Sequence, residues 1–246
     1  MIDESATPSL IEVQRLADAV RANIAHVIVG KLDIIDLLLV ALFSDGHVLL
    51  EDVPGMGKTV MAKSLARSIG ATIQRVQGTP DLLPTDVTGV SYFDQGRSEF
   101  IFRQGPIFAQ ILLVDEINRA TPRTQSALLE AMAERQVTVE RETMLLPRPY
   151  LVLATQNPVE LEGTFPLPEA QLDRFLLRVR VGYPSEDEEQ GILHRFKNDE
   201  PLEALRPVVS AEQVTRLQQA IRLVGWQPKW NAISSPSCAP HVTMPQ

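Results

Sequence analysis

The sequence is poor in cysteine and in aromatic residues, and it has no long apolar run. Its single cysteine, Cys238, cannot form an internal disulfide, which fits a reducing compartment. Aromatic residues make up 5% of the 246 residues, a low share for a module that stacks nucleic-acid bases. The most apolar stretch, residues 32–43, is shorter than the roughly 20 residues of a membrane-spanning helix and contains two aspartates. We therefore expect a folded protein without membrane insertion.

Basic residues are also fewer than acidic ones. Asp and Glu outnumber Lys and Arg by 31 to 23, which gives a net charge of −8. Because nucleic-acid affinity depends largely on Lys and Arg neutralising phosphates, a nucleic-acid motor is disfavoured, and salt-dependent binding to single-stranded DNA would revive it. The first residues include Asp3 and Glu4 and lack a basic segment before an apolar one. No secretory signal is visible, so we expect a cytoplasmic location.

Strands and helices alternate along the sequence, which predicts an α/β fold with a parallel sheet flanked by helices. Short apolar segments without helical period predict five strands, at residues 47–50, 72–76, 111–114, 150–154 and 176–181. Apolar positions three or four apart predict helices between them, and two further helices before the first strand, at about residues 10–28 and 31–43. Two stretches, residues 89–106 and 136–149, interrupt the alternation and predict hairpin insertions.

The strongest functional signal is a glycine-rich segment between a predicted strand and a predicted helix, Asp52-Val53-Pro54-Gly55-Met56-Gly57-Lys58-Thr59. Glycines let backbone N–H groups turn towards phosphates, and the following helix N-terminus adds its positive dipole. Lys58 is suited to reach the terminal phosphates of ATP, and Thr59 offers a hydroxyl to Mg²⁺. Asp52 stands where the full pattern has a first glycine. A plain glycine-rich turn is the alternative, but Gly-Lys-Thr after an apolar strand argues against it.

Two carboxylates and an amide follow other predicted strands. Asp115 and Glu116 come after residues 111–114, and Asn157 comes shortly after residues 150–154. Open α/β sheets bind ligands at the carboxyl ends of their strands. Asp115 is the candidate magnesium ligand, acting through water, and Glu116 is the candidate base that polarises the attacking water. Asn157 is a candidate for orienting the same water, although each of these short motifs alone also suits an ordinary loop.

Together these motifs resemble the MoxR group of AAA+ ATPases. The resemblance covers about residues 13–223 and rests on four segments, Val48 to Thr59, Asp115 to Ala120, Thr155 to Pro158 and Leu167 to Phe175. In that group Asp commonly replaces the first glycine of the phosphate loop. The resemblance implies ATP hydrolysis with Mg²⁺, with Asp115 at the metal, Glu116 in catalysis and Asn157 at the sensor position.

The resemblance also implies roles that the motifs alone do not. Arg174 matches an arginine finger, contributed to the nucleotide of the next subunit, and a permanently charged, forked guanidinium is suited to that role. A surface arginine paired with Asp173 or Glu169 is the alternative. Val29 and Gly30 resemble the adenine-side contact of the family, although a Val-Gly step between two helices also serves ordinary packing.

The function that the resemblance implies is chaperone-like remodelling or assembly of partner proteins. MoxR-type ATPases are thought to work as homo-oligomeric rings, expected here as hexamers, often with von Willebrand A-domain proteins. The motor subunit of a metal chelatase is a rival with the same fold, and hairpin insertions suit it equally. A nucleotide-dependent binding module without turnover is a rival of another class, and the presence of Glu116 favours an enzyme.

The sequence divides into three predicted parts. Residues 1–183 hold the N-terminal helices and the AAA+ nucleotide-binding domain, and residues 184–224 begin a helical lid. Residues 225–246 have no acidic residue, four prolines and no helical period, so we expect an atypical, disordered tail. Ser235-Pro236-Ser237 lacks the arginine that lids of this kind place on the nucleotide. An incomplete lid predicts weak ATP binding and poor ring formation.

Overall fold

The computed structural model describes residues 10–51, 56–139, 142–158, 163–196 and 200–222. Pro54 and Gly55 of the phosphate loop lie outside these ranges. The predicted tail, residues 225–246, also lies outside them, as do residues 197–199, 223 and 224 of the predicted lid. The proposed domain boundaries stay predictions. None of the helices in the described ranges combines the length and the apolar character needed to cross a membrane.

Helices and strands alternate along the described part of the chain. In sequence order they are α1 (Leu10–Ala25), α2 (Leu32–Phe43), β1 (Val48–Glu51), α3 (Lys58–Ser68), β2 (Ile73–Gln77), α4 (Pro84–Thr88), β3 (Gly89–Asp94), β4 (Glu99–Gln104), β5 (Ile111–Asp115), α5 (Pro122–Glu134), β6 (Gln136–Val139), β7 (Glu142–Leu145), β8 (Leu151–Gln156), α6 (Glu169–Leu172), β9 (Leu177–Val179), α7 (Glu186–Arg195), α8 (Pro201–Ala204) and α9 (Ala211–Arg222). Single 3₁₀ turns lie at Pro106–Phe108 and Ile117–Arg119.

A parallel five-stranded sheet lies at the centre of the fold. Its strand order is β2-β5-β8-β1-β9, and every neighbouring pair is parallel. The two predicted insertions form the antiparallel hairpins β3–β4 and β6–β7. The predicted α/β fold with hairpin insertions is therefore confirmed.

The central strands are buried because both faces of the sheet are covered. Side chains alternate between the faces of a strand. Leu50 and Leu113 accordingly join an apolar cluster with residues of α1, α2, α3 and α9, whereas Leu49 and Leu112 join a second cluster with residues of α5. Burial on both faces explains why these strands are almost continuously apolar, which is the pattern that predicted them.

Helix starts follow their capping residues. Thr121 Oγ1 accepts the backbone N–H of Thr124 at 3.4 Å, and α5 begins at the proline between them. Ser185 and Glu188 form a reciprocal capping box at α7, with distances of 2.8 and 3.3 Å. These side-chain caps satisfy N–H groups that have no partner within the helix.

The ends of all five strands differ from the prediction, four of them in the same direction. Four strands continue into polar residues beyond the last apolar one predicted, ending at Glu51, Gln77, Asp115 and Gln156. Backbone pairing continues there, because ladder hydrogen bonds do not depend on apolar side chains. Strand β9 ends earlier than predicted, at Val179.

A buried histidine, His47, lies directly before the first residue of β1. His47 Nδ1 accepts the backbone N–H of Val152 at 3.0 Å, so the neutral ring carries its proton on Nε2 and donates to the Met132 carbonyl at 3.2 Å. The guanidinium of Arg135 also contacts Nε2. Burial, followed by the charge of Arg135, lowers the pKa of His47 from 6.5 to about 3.

We predict that His47 makes the fold less stable in mild acid. The unfolded chain takes up a proton near pH 6.5 and the folded chain does so only near pH 3, so stability present above pH 6.5 is lost as the pH falls. Between pH 7.5 and pH 5 the loss is about 2 kcal/mol from this residue. Urea denaturation at both pH values measures it.

Asn at position 47 retains an acceptor for Val152 but does not titrate. His47→Asn should remove about 2 kcal/mol of the pH dependence, whatever its stability at pH 7.5. The change His26→Asn, at an exposed histidine, is the matched control and should leave the pH dependence as in the parent. Equal pH dependence in parent and His47→Asn would contradict the prediction.

Candidate functional site

A polar cavity of about 200 Å³ opens at the carboxyl edge of the sheet. The start of α3 and the ends of β2, β5 and β8 border it. Its lining brings together residues that the sequence had predicted and others that it had not, namely Met56, Gly57, Lys58, Thr59, Arg75, Gln77, Asp115, Glu116, Thr155 and Asn157. Side chains from four separate segments thus converge on one space.

The predicted phosphate-binding residues Lys58 and Thr59 lie on the first turn of α3. This helix begins at Lys58, directly after Gly57, and Lys58 is buried despite its charge. Backbone N–H groups in the first turn of a helix have no partner within it and carry the positive end of the helix dipole. Lys58, Thr59 and these N–H groups give one wall of the cavity the character of an anion site.

Asp115 ends β5 and forms the opposite wall. Its Oδ2 accepts from Arg75 Nε at 2.5 Å, and its Oδ1 accepts from the Thr155 hydroxyl at 3.3 Å. The side chain of Asp115 is 13% exposed, which leaves it accessible from the cavity. A carboxylate and the Thr59 hydroxyl supply the hard oxygen ligands that Mg²⁺ prefers, so the donor set fits that ion.

Glu116 leaves the strand in a left-handed backbone conformation, with φ of 54°. Its backbone N–H donates to Thr155 Oγ1 at 2.9 Å, and its Oε2 accepts from Gln77 Nε2 at 2.9 Å and from Arg119 Nη1 at 3.2 Å. A bulky residue rarely adopts this backbone conformation, and such strain concentrates at functional sites. The Thr155 hydroxyl therefore holds both carboxylate residues, one through its backbone and one through its side chain.

The sequence patterns missed three residues of the cavity, Arg75, Gln77 and Thr155. Arg75 and Gln77 lie two apart on the edge strand β2, so both side chains point to the same face. Gly78 follows them, and its N–H donates to the Asp115 carbonyl at 2.6 Å. A Cβ at Gly78 would lie 2.1 Å from the Glu116 carbonyl oxygen, so only glycine permits this approach.

A buried carboxylate supports the strand that leads into the phosphate loop. Glu51 is 4% exposed, and it accepts hydrogen bonds from Arg178 of β9 and Gln156 of β8. Burial opposes its ionisation, but these hydrogen bonds and the charges of Arg178 and Arg180 outweigh burial and lower the pKa of Glu51. The ends of β1, β8 and β9 are thereby tied together beside the site.

A second cavity of about 200 Å³ adjoins the first and is mainly apolar. The two cavities share Met56 and Gly57. Val29 lines the second cavity, together with Val27, Ile28, Lys31, Val60, Met61, Gly182, Pro184, Ile192 and Phe196. An apolar cavity beside an anion site suits a flat base attached to phosphates.

Gly30 lies beside α7 in a backbone conformation that favours glycine. Its φ is 67°, and a Cβ there would lie 1.7 Å from Glu188 Oε1. Lys31 Nζ donates to the Tyr183 carbonyl at 2.9 Å, which closes the same side. The packing alternative for the Val-Gly step therefore has a physical basis for Gly30, while Val29 borders the cavity itself.

Arg174 does not line either cavity of its own chain among the described residues. It is exposed, and its Nη1 donates to the Leu129 carbonyl at 2.8 Å. The ion pairs found in the described ranges do not join it to Asp173 or Glu169. Arg174 thus lies outside both cavities, with its Nη1 bonded to the backbone of α5.

The sequence profile of the ATPase family associated with various cellular activities (AAA) matches residues 47–177. This chain belongs to that AAA family. Membership implies nucleotide binding, and the matched residues include both walls of the polar cavity.

Individual relatives of this AAA ATPase include MoxR proteins. It is 57% identical over 202 residues to the uncharacterised protein YeaC of Bacillus subtilis, covering 82% of this chain and 63% of YeaC. It is 48% identical over 208 residues to Chaperone MoxR1 of Mycobacterium tuberculosis, covering 85% of this chain and 54% of MoxR1. The resemblance to the MoxR group is confirmed.

A crystal structure supports the same assignment. A Cytophaga hutchinsonii protein described as a candidate ATPase matches the AAA ATPase with a TM-score of 0.83 and 38% identity, over 90% of this chain and 67% of that one. The chain spans between 54% and 63% of the length of the two curated relatives. The activity and partners of the whole protein are therefore matters for proposal.

We predict that Lys58→Ala weakens nucleotide binding by about 10- to 100-fold, because a hydrogen-bonded charge is lost from the wall that the start of α3 forms. Titration with a fluorescent ATP analogue measures the dissociation constant. Lys63→Ala is the matched control, since Lys63 is an exposed lysine of the same helix. An unchanged dissociation constant for Lys58→Ala would contradict the role of Lys58.

Proposed function

We propose that this protein is an ATP-hydrolysing AAA ATPase of the MoxR type that acts as a chaperone-like remodelling or assembly factor. The observation that carries the proposal is the convergence of Lys58, Asp115, Glu116 and Asn157 on one cavity at the start of α3. An anion wall faces two carboxylates there, which is the arrangement that phosphoryl transfer to water requires.

The two walls of the cavity have different roles in the proposed hydrolysis. Lys58 and the N-terminus of α3 hold the phosphates in place, and a magnesium ion at Asp115 and Thr59 would neutralise phosphate charge when bound. Glu116 accepts the proton of the attacking water, and Asn157 orients that water from the end of β8. Both residues line the cavity, which supports these roles.

Arg174 completes the site of a neighbouring subunit in the proposed mechanism. Its exposure and its place outside its own cavities support action on the nucleotide of another copy. A guanidinium can place two N–H groups on phosphate oxygens as negative charge develops in the transition state. We propose a homo-oligomeric ring, with six subunits as the expected number.

Protein partners are the proposed substrates. The relative from Mycobacterium tuberculosis is named a chaperone, which supports remodelling of proteins. The hairpin β3–β4 carries exposed apolar side chains, among them Phe93 and Phe100, whose rings pack edge to face at 5.2 Å. Exposed apolar surface of this kind suits contact with another protein. We include a von Willebrand A-domain protein among the proposed partners.

We predict that Glu116→Gln retains nucleotide binding but lowers turnover by about 10²- to 10⁴-fold, because an amide keeps the shape of the side chain and cannot accept the proton. Phosphate release at saturating ATP measures turnover, and analogue titration measures binding. Glu130→Gln, at an exposed glutamate of α5, is the matched control. Turnover at the parent rate would remove Glu116 as the base.

We predict that Arg174→Ala lowers turnover by on the order of 10³-fold while leaving nucleotide affinity nearly unchanged, because a finger acts on the transition state of the neighbour. Arg123→Ala, at an exposed arginine of α5, is the matched control. Mixing Arg174→Ala subunits with Glu116→Gln subunits should restore part of the activity. Failure of rescue at every mixing ratio would count against a shared site.

A further inference from the structure

Arg75 lines the polar cavity and contacts one of its two carboxylates directly. Its Nε lies 2.5 Å from Asp115 Oδ2, and its Nη2 donates to Gln77 Oε1 at 2.9 Å. The proposed catalytic roles do not use it. It is nevertheless the cation that lies directly on the proposed magnesium ligand.

The register of the sheet fixes this position. Strand β2 pairs with β5 so that Gln77 lies opposite Asp115 and Arg75 lies opposite Leu113. The Arg75 side chain therefore starts two residues before the position opposite Asp115 and extends forward along the strand to reach the carboxylate. Its side chain is 54% exposed, so it can leave Asp115 without disturbing the core.

The same guanidinium orients the amide of Gln77. A guanidinium has only donors, so Gln77 must present its oxygen to Arg75. The amide nitrogen of Gln77 then faces Glu116 Oε2, at 2.9 Å. One cation thus contacts Asp115 directly and Glu116 through Gln77.

Arg75 and a divalent cation would both pair with the negative charge of Asp115. The side chains facing the carboxylates across this cavity include the cations Lys58 and Arg75, and Arg119 pairs with Glu116 from its own turn. Among the described residues, Asp115 forms its ion pair with Arg75. The guanidinium covers Oδ2, one of the two oxygens of Asp115 on which a hydrated metal ion could be held.

We propose that Arg75 is an internal counter-ion that competes with the divalent cation for Asp115, so that metal binding displaces it. The proposal rests on the proposed function, because it takes Asp115 as the metal ligand. It makes the magnesium requirement of the site adjustable by a residue that is not itself a ligand. The ion pair is partly exposed, so the effect is modest: the competition amounts to about a two- to fivefold change in metal affinity.

The test is a magnesium titration at a fixed concentration of fluorescent ATP analogue. Arg75→Met removes the charge and keeps the length of the side chain, and it should lower the half-saturating Mg²⁺ concentration by about two- to fivefold. Arg75→Lys should lie between Arg75→Met and the parent. Arg103→Met, at an exposed arginine of the hairpin, is the matched control and should match the parent.

Two further arms decide between competition and other roles. In the background Asp115→Asn, the difference between Arg75 and Met at position 75 should disappear. With EDTA in place of Mg²⁺, Arg75→Met should bind the analogue as tightly as the parent. A half-saturating Mg²⁺ concentration in Arg75→Met that equals or exceeds that of the parent would overturn the proposal. Weaker binding of the analogue by Arg75→Met in EDTA would also overturn it, because Arg75 would then be a phosphate ligand.

A direct metal measurement separates this inference from the proposed function. If the parent binds no nucleotide, the proposed function fails, and Mn²⁺ binding to the nucleotide-free protein still tests the competition. Mn²⁺ bound by the protein, followed through the loss of the free-ion electron paramagnetic resonance signal, should be tighter in Arg75→Met than in the parent. Equal Mn²⁺ affinity in the two proteins would overturn the competition alone.

Discussion

The parallel pairing of β5 with β2 on one side and β8 on the other is the constraint on which the candidate site depends. Gln77 lies opposite Asp115, and Ala154 lies opposite Val114, so the polar residues that follow each strand meet at one edge. Two hydrogen bonds fix the ends, from Gly78 N–H to the Asp115 carbonyl and from Glu116 N–H to Thr155 Oγ1. A shift of one residue in either register would turn these side chains to the other face of the sheet.

Buried polar groups secure both edges of this sheet. At the edge away from the site, neutral His47 is held by the backbone of β8. At the site, Glu51 links β1 to Gln156 and Arg178. Such groups are tolerated inside only when their hydrogen bonds are made, because an unpaired one loses its hydration without replacement. They therefore favour this register of the strands over shifted registers. An apolar core alone would discriminate less between these registers.

The sequence was sufficient for the strand cores and for residues that follow a motif, and it failed where partners are set by long-range pairing. Asp115 and Glu116 were found because an apolar run ends in carboxylates, a local pattern. Arg75 and Gln77 belong to an edge strand, and only the pairing of β2 with β5 brings them to the cavity. Nothing within β2 itself indicates which strand lies beside it. The strand ends were misjudged for a related reason, because backbone pairing continues into polar residues such as Glu51.

The two cavities depend on different parts of the fold. The polar cavity is built from the sheet edge and α3, which share the main apolar core. Ile192 of α7 lines the apolar cavity, and hydrogen bonds link α7 and the residues before it to the N-terminal helices: Arg195 Nη1 donates to the carbonyls of Ala25 and Ile28, and Lys31 Nζ donates to that of Tyr183. The anion wall therefore depends on α3 and the sheet, whereas the apolar cavity depends also on the packing of α7.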